Sequence, residues 1–86
     1  MTLEYGEFAD VMVVSISEPS APCVSFESQT PGVNLRVEES TGIVRSFEVL
    51  LWSRRFARGP ILVPEVTDPE FQSEWMRNQA LMRNPT

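Results

Sequence analysis

The chain has no histidine and no lysine, and its only cysteine is Cys23. Each absence removes a class of chemistry. Without histidine the commonest general base and metal ligand are missing, and no Cys–His or Ser–His nucleophile pair can be assembled within one chain. A lone cysteine excludes a disulfide-stapled secreted scaffold, and without histidine it makes no zinc site. Cys23, between Pro22 and Val24, reads as a small packing residue rather than an activated thiol. There is no Asp-x-Asp-x-Asp calcium loop and no Gly-rich phosphate loop, so neither metal nor cofactor is expected. No apolar run approaches the ~20 residues of a membrane span, and no charged-then-apolar leader opens the chain. No membrane association and cytoplasmic residence are the expectation.

What is present describes one small domain. A chain of 86 residues forms a thin core, for which oligomerisation is a common remedy. The 42% apolar and 22% charged content is that of a globular protein. All seven cations are arginines, against twelve carboxylates, for a net charge of −5. That balance disfavours nucleic acid and anionic membranes, which it repels at long range.

Hydrophobic patterning predicts an α+β fold: a small antiparallel β-meander of four to five strands, a short turn of helix near 52–58 and a C-terminal α-helix near 69–83. Thr2–Tyr5 reads as an edge strand. Asp10–Ser17 is dense in β-branched residues, with Val11 and Val13 on one side and Met12, Val14 and Ile16 on the other, the pattern of a central strand covered on both faces. Cys23–Ser28 is a second strand. Thr30-Pro31-Gly32-Val33 fits a type II turn. In the next strand Val33, Leu35 and Val37 face in and Asn34, Arg36 and Glu38 face out. A hairpin at Glu39–Gly42 leads to a partner strand over Ile43–Trp52, with Phe47, Val49 and Leu51 on one face and Val44, Ser46, Glu48 and Leu50 on the other. Residues 57–67 form a proline-bounded connection in which Ile61-Leu62-Val63 is an edge segment or an apolar tie across the core. Thr67-Asp68-Pro69-Glu70 is a helix start, and the stripe of Phe71 and Trp75 gives the helix an apolar side. The organisation is one domain, 1–86, divided as 3–56, 57–67 and 68–83.

Several blocks carry a family resemblance. Tyr5 is followed by Ala9-Asp10-Val11-Met12-Val13-Val14-Ser15-Ile16; then come Gly32-Val33-Asn34-Leu35, Gly42-Ile43-Val44, Phe47-Glu48-Val49-Leu50 and Ser53-Arg54-Arg55. In order and spacing they resemble a group of short prokaryotic proteins, domain of unknown function 2283, over residues 3–56. Gly6 stands where that pattern has an acid, Arg45 or Ser46 where it has glycine, and the tail from Ala57 lies outside it. The resemblance implies a small β-meander and, as one branch, an antitoxin-like role.

The candidate functional residues are Tyr5, Asp10, Glu48, Arg54 and Arg55. Asp10 and Glu48 border apolar strands; as a carboxylate pair with Arg45 or Arg54 they could perform acid–base work or hold a ligand. The plainer reading has Asp10 accepting backbone amides at a turn and Glu48 paired with an arginine across the sheet. Arg54, Arg55 and Arg58, interleaved with Trp52 and Phe56, suggest a weak nucleic-acid patch; the plainer reading has them paired with nearby acids. Both plainer readings are favoured, which weighs against an enzyme. Strands apolar on both faces with one covering helix leave a face for a second copy or a protein partner. The expectation is a non-enzymatic interaction module, a homodimer, with Met12, Val14, Ile16, Trp52, Phe71 and Trp75 as interface candidates and the tail helix docked in cis or on another subunit.

Overall fold

A computed structural model describes residues 1–83, with side-chain placement through residue 78. The strands are β1 (Thr2–Gly6), β2 (Val11–Ser15), β3 (Cys23–Glu27), β4 (Val33–Glu38) and β5 (Val44–Leu50). The helices are α1 (Trp52–Ala57), a single turn α2 (Pro64–Thr67) and α3 (Pro69–Arg83). The sheet is antiparallel throughout, in the order β1-β2-β5-β4-β3. It is α+β as expected, but only β3-β4-β5 is a meander. The β1–β2 hairpin docks on β5, and the segment after β2 crosses to the far edge of the sheet. β2 is an interior strand, between β1 and β5, as expected, but it is not covered on both faces: only Val14 of its residues is buried.

Local chemistry sets the turns. The Val33 amide donates to the Thr30 carbonyl at 3.2 Å, and Gly32 takes φ 79°, as a type II turn requires. At the β4–β5 hairpin Gly42 has φ 74°, and a Cβ there would lie 2.9 Å from Cβ of Trp75. Glycine is needed for the left-handed conformation and for the approach of α3. Asp68 caps α3, its Oδ1 accepting the Glu70 amide at 2.9 Å, with Pro69 in the first turn.

The register gives one apolar face. Val49 lies between Met12 and Val33, and Phe47 between Val14 and Leu35. Val33, Leu35, Val37, Val44 and Val49 form the buried core. The other face presents Ser25, Asn34, Arg36, Ser46 and Glu48, with Val11, Val13 and Leu50 as apolar exceptions. The sheet is thus apolar on one face, not two. The expected alternation in β5 put Val44 with Ser46 and Glu48; a bulge moves it. Arg36 faces Ser46 while Val37 faces Val44, so Arg45 is the extra residue. Its carbonyl accepts the amides of Ile16 at 2.8 Å and Ser17 at 3.2 Å, which ties β2 to β5 beyond the ladder. Its Nε donates to Glu38 Oε2 at 2.9 Å and its Nη1 to Ser17 Oγ at 2.8 Å.

Glu38, expected to face outward, is buried. It is the partner of the Arg45 guanidinium and also accepts the Ser20 amide at 3.1 Å and the Thr41 hydroxyl at 3.0 Å. The crossing segment folds over the end of β4 and closes this site. A second buried carboxylate, Glu65, accepts the Ser28 hydroxyl and the Gln29 amide, each at 2.7 Å. With the Thr30 hydroxyl donating to the Leu62 carbonyl at 2.6 Å, it staples the connection to the β3–β4 turn. Ile61 and Val63 pack on the core, so the segment is an apolar tie. The tail docks in cis: Phe26, Phe71 and Trp75 form an aromatic cluster, and Trp75 Nε1 donates to the Glu39 carbonyl at 3.0 Å.

Two outcomes follow from this packing. Leu35→Ala should lower unfolding free energy by about 2–5 kcal/mol, most of what a domain this size has, with the urea midpoint falling accordingly; a change under about 1 kcal/mol would show that the site collapses freely. The acid response has a definite sign. The Arg45 hydrogen bond, against burial, holds Glu38 below the ordinary carboxylate value; Glu65 is pushed up by burial but ends below it through the Gln29 amide and Ser28 hydroxyl. A depressed folded-state pKa contributes stability that is whole above the unfolded value of about 4.3 and drains as pH falls below it. The melting temperature should be level near neutrality and fall in acid, and Glu38→Gln should start lower and lose less on acidification. Parallel acid limbs for the two proteins would contradict this role for Glu38.

Candidate functional site

Hydrogen-bonding side chains gather at one end of the sheet, where the β1–β2 turn meets α1. Asp10 has φ 55° and Leu51 φ 53°, both left-handed. Asp10 carries such a conformation readily because its short polar side chain bonds locally; Leu51 does not, and it is held between two anchors. The Leu50 amide donates to the Gly32 carbonyl at 2.9 Å and the Trp52 amide to the Asp10 carbonyl at 2.9 Å. Leu51 has no side chain with which to cap α1, and Asp10 does so from across the sheet. Asp10 Oδ1 accepts the Ser53 amide at 3.0 Å, Oδ2 accepts the Ser53 hydroxyl at 2.7 Å, and the Tyr5 hydroxyl donates to Oδ1 at 2.7 Å.

This clasp joins a serine and a tyrosine to a carboxylate with no imidazole between them, so it is not a catalytic triad. The Tyr5 and Ser53 hydrogen bonds hold Asp10 below the ordinary carboxylate value, so it is a poor base. The hydrogen bond to Asp10, then burial, pushes the Tyr5 hydroxyl up, so it keeps its proton. Ser53 therefore gains no nucleophilic character from Asp10. Glu48 is elsewhere: on the polar face, opposite Val13 and Asn34, accepting the Asn34 side-chain amide at 3.1 Å rather than an arginine. It shares no polar partner with Asp10, and Arg45 is committed to Glu38 and Ser17. The carboxylate-pair arrangement is not assembled here. Among the described residues no group of three or more His, Cys, Asp or Glu is placed to hold a metal, and no helix is long and apolar enough to cross a membrane.

Helix α1 sorts the basic and aromatic residues that alternate in sequence. Trp52 and Phe56, four apart, stack with centroids 5.1 Å apart and line an apolar groove of about 480 Å³ with Val14, Phe47 and Ile61. Arg54, Arg55 and Arg58 line a different groove of about 1010 Å³, floored by Val11, Leu50 and Leu51. The expected pairing of these arginines with acids is absent: among the described residues the one ion pair is Arg45–Glu38. Arg55 donates to the Pro31 carbonyl, while Arg54 and Arg58 are exposed. The interface candidates lie on the core side of the sheet and are buried or half-buried. Val14 is buried, and Met12, Ile16, Trp52, Phe71 and Trp75 pack against the core. Ser53, Glu38 and Glu65 were missed as structural centres. Only Ser53 had a signal, its place in the last of the blocks shared with the resembling family. No family model matches the chain, and neither a curated protein nor a solved structure matches it.

If the clasp is a cap rather than a reaction centre, Asp10→Ala should lower the melting temperature more than Tyr5→Phe, since it removes the α1 cap and places alanine at positive φ. Asp10→Asn should recover part of the loss. A melting temperature unchanged by Asp10→Ala would refute the capping role.

Proposed function

We propose that the protein is a non-enzymatic, homo-oligomerising interaction module that dimerises through the edge of β1. The observation that carries this reading is an edge strand with nothing over it. β1 pairs only with β2, in an unbroken ladder, and all of its residues are exposed. Edges are normally blunted by proline, charged side chains, bulges or a covering element. β1 has a single charge, Glu4, and no proline, bulge or cover among the described residues. The opposite edge, β3, follows Pro22 and has Phe26 under α3.

The apolar face also continues onto β1. Leu3 opposes Val14 and Tyr5 opposes Met12, and with Met1 they form an alternating stripe exposed to 85% (Met1), 66% (Leu3) and 44% (Tyr5). Antiparallel pairing of β1 with β1 of a second copy about a twofold axis satisfies both rows of free amides and carbonyls. A register centred on Leu3 sets Leu3 against its own copy, Met1 against Tyr5 and Thr2 against Glu4. It avoids the repulsion of Glu4 facing Glu4, which a register centred one residue later imposes. A prokaryotic setting and an antitoxin-like role, in which the dimer holds a protein partner, belong to the same reading and rest on the resemblance over residues 3–56; cytoplasmic residence is the expectation of the sequence itself.

Light scattering at micromolar concentration should give twice the 9.7 kDa chain mass, and Leu3→Asp should reduce it to one chain with the fold intact. In a Cys23→Ser background, Leu3→Cys should oxidise to a covalent dimer, because facing Cβ atoms in paired strands lie about 4.5–5.5 Å apart, close to disulfide reach. A mass of one chain at high concentration would overturn the dimer; a dimer indifferent to Leu3→Asp would overturn the interface.

A further inference from the structure

The arginine-lined groove is a second surface, distinct from the free edge of β1, with an unusual charge for this molecule. The chain carries a net charge of −5 and seven cations, yet three of those cations line one groove in which no acidic side chain takes part. The floor is aliphatic. Val11 and Leu50 face each other in adjacent strands on the side of the sheet away from the core, and Leu51 and Leu62 are exposed to 52% and 73%. Asp10 beside the groove attracts Arg54, but among the described residues none of the three arginines forms an ion pair. Aliphatic side chains flanked by these arginines match a ligand that brings both carboxylates and apolar side chains.

Leu51 supplies an independent observation. It is a bulky residue in the left-handed region, where Cβ crowding normally selects glycine or asparagine, and the strain serves no contact in the core because the side chain is exposed. Backbone strain of this kind collects at binding sites. Here the strained residue is one that lines the groove, together with Val11, Arg54 and Arg55. Arg55 donates to the Pro31 carbonyl, which leaves Arg54 and Arg58 as the exposed cations of the groove.

We propose that this groove binds an extended segment of a protein partner in which glutamate or aspartate alternates with leucine, isoleucine or valine. Arg54 and Arg58 take the carboxylates, and Leu50, Leu51 and Leu62 the aliphatic side chains. Peptide fits better than single-stranded nucleic acid. Nucleic acid needs flat aromatic surfaces beside its cations, and Trp52 and Phe56 stack on each other in the other groove. The molecule's net negative charge also opposes a polyphosphate more than a short acidic segment.

The test uses the full chain and a fluorescently labelled short peptide alternating Glu and Leu, read by anisotropy at low and moderate salt. Binding that weakens with salt, and an affinity lowered about tenfold or more by Arg54→Glu with Arg58→Glu, are expected. Leu51→Gly should weaken binding without lowering the melting temperature, because glycine accepts the left-handed backbone. Arg36→Glu, on the sheet's polar face, should leave binding unchanged. Equal affinity for a peptide alternating Lys and Leu, or no effect of the double charge reversal while the fold is intact, would overturn the proposal. So would tighter binding of a single-stranded oligonucleotide that displaces the peptide, which would make the groove a nucleic-acid site.

Discussion

One residue too many in β5 organises the rest of the molecule. The bulge at Arg45 turns Val44 into the core beside Val37. It also frees a carbonyl for the Ile16 and Ser17 amides and directs a guanidinium at Glu38. Without it, β5 would keep strict alternation, Val44 would join the polar face, and Glu38 would be a buried carboxylate without its cation. Because the bulged carbonyl reaches across to the end of β2, the same residue joins the β1–β2 hairpin to the β3–β4–β5 meander. Bulges bend and twist a strand, and this one sits where the crossing segment must turn over β4 toward β3.

A sheet with one apolar face needs one layer of cover, and this chain supplies it unevenly. Helix α3 lies over Phe26 and Gly42, and the tie through Ile61 and Val63 packs toward the middle of the sheet. Glu65 and its bonds to Ser28 and Gln29 hold the tie in place. Cover stops short of β1, where Leu3 and Tyr5 continue the apolar face into solvent. The two proposed surfaces thus arise from different shortfalls: unpaired edge and missing cover at β1, and a concentration of unpaired cations over an aliphatic floor beside α1. Neither calls on acid–base chemistry, consistent with a clasp in which Asp10 stays charged and Tyr5 stays protonated.

Much of the fold was legible because the signals were local. Gly32 and Gly42 sit where positive φ is needed, Asp68-Pro69 starts a helix by satisfying its first amides, and Val33, Leu35 and Val37 alternate in a six-residue strand. The candidate site was legible in part. Asp10 was marked as a residue that satisfies backbone amides, but the amide it satisfies belongs to Ser53, forty-three positions away. Arg54, Arg55 and Arg58 were marked as a cluster, but not as one that forms no ion pair among the described residues. Glu38 and Glu65 gave no sign of burial, because a carboxylate is buried only when distant donors converge on it, and Ser20, Arg45, Ser28 and Gln29 are brought together by the fold.

What the amino-acid order alone determined was the set of elements and the chemistry unavailable to them: strands, two tight turns, a capped helix, and no histidine, lysine or second cysteine with which to build a nucleophile or a zinc site. Tertiary structure alone decided the strand order, the single apolar face, the bulge and the open edge. The reason is one of range. Periodicity and turn chemistry act over a few residues and survive in any arrangement of the strands. Which strand lies beside which, and which edge stays open, depends on contacts between residues far apart in the chain, such as Arg45 with Ser17 and Asp10 with Ser53.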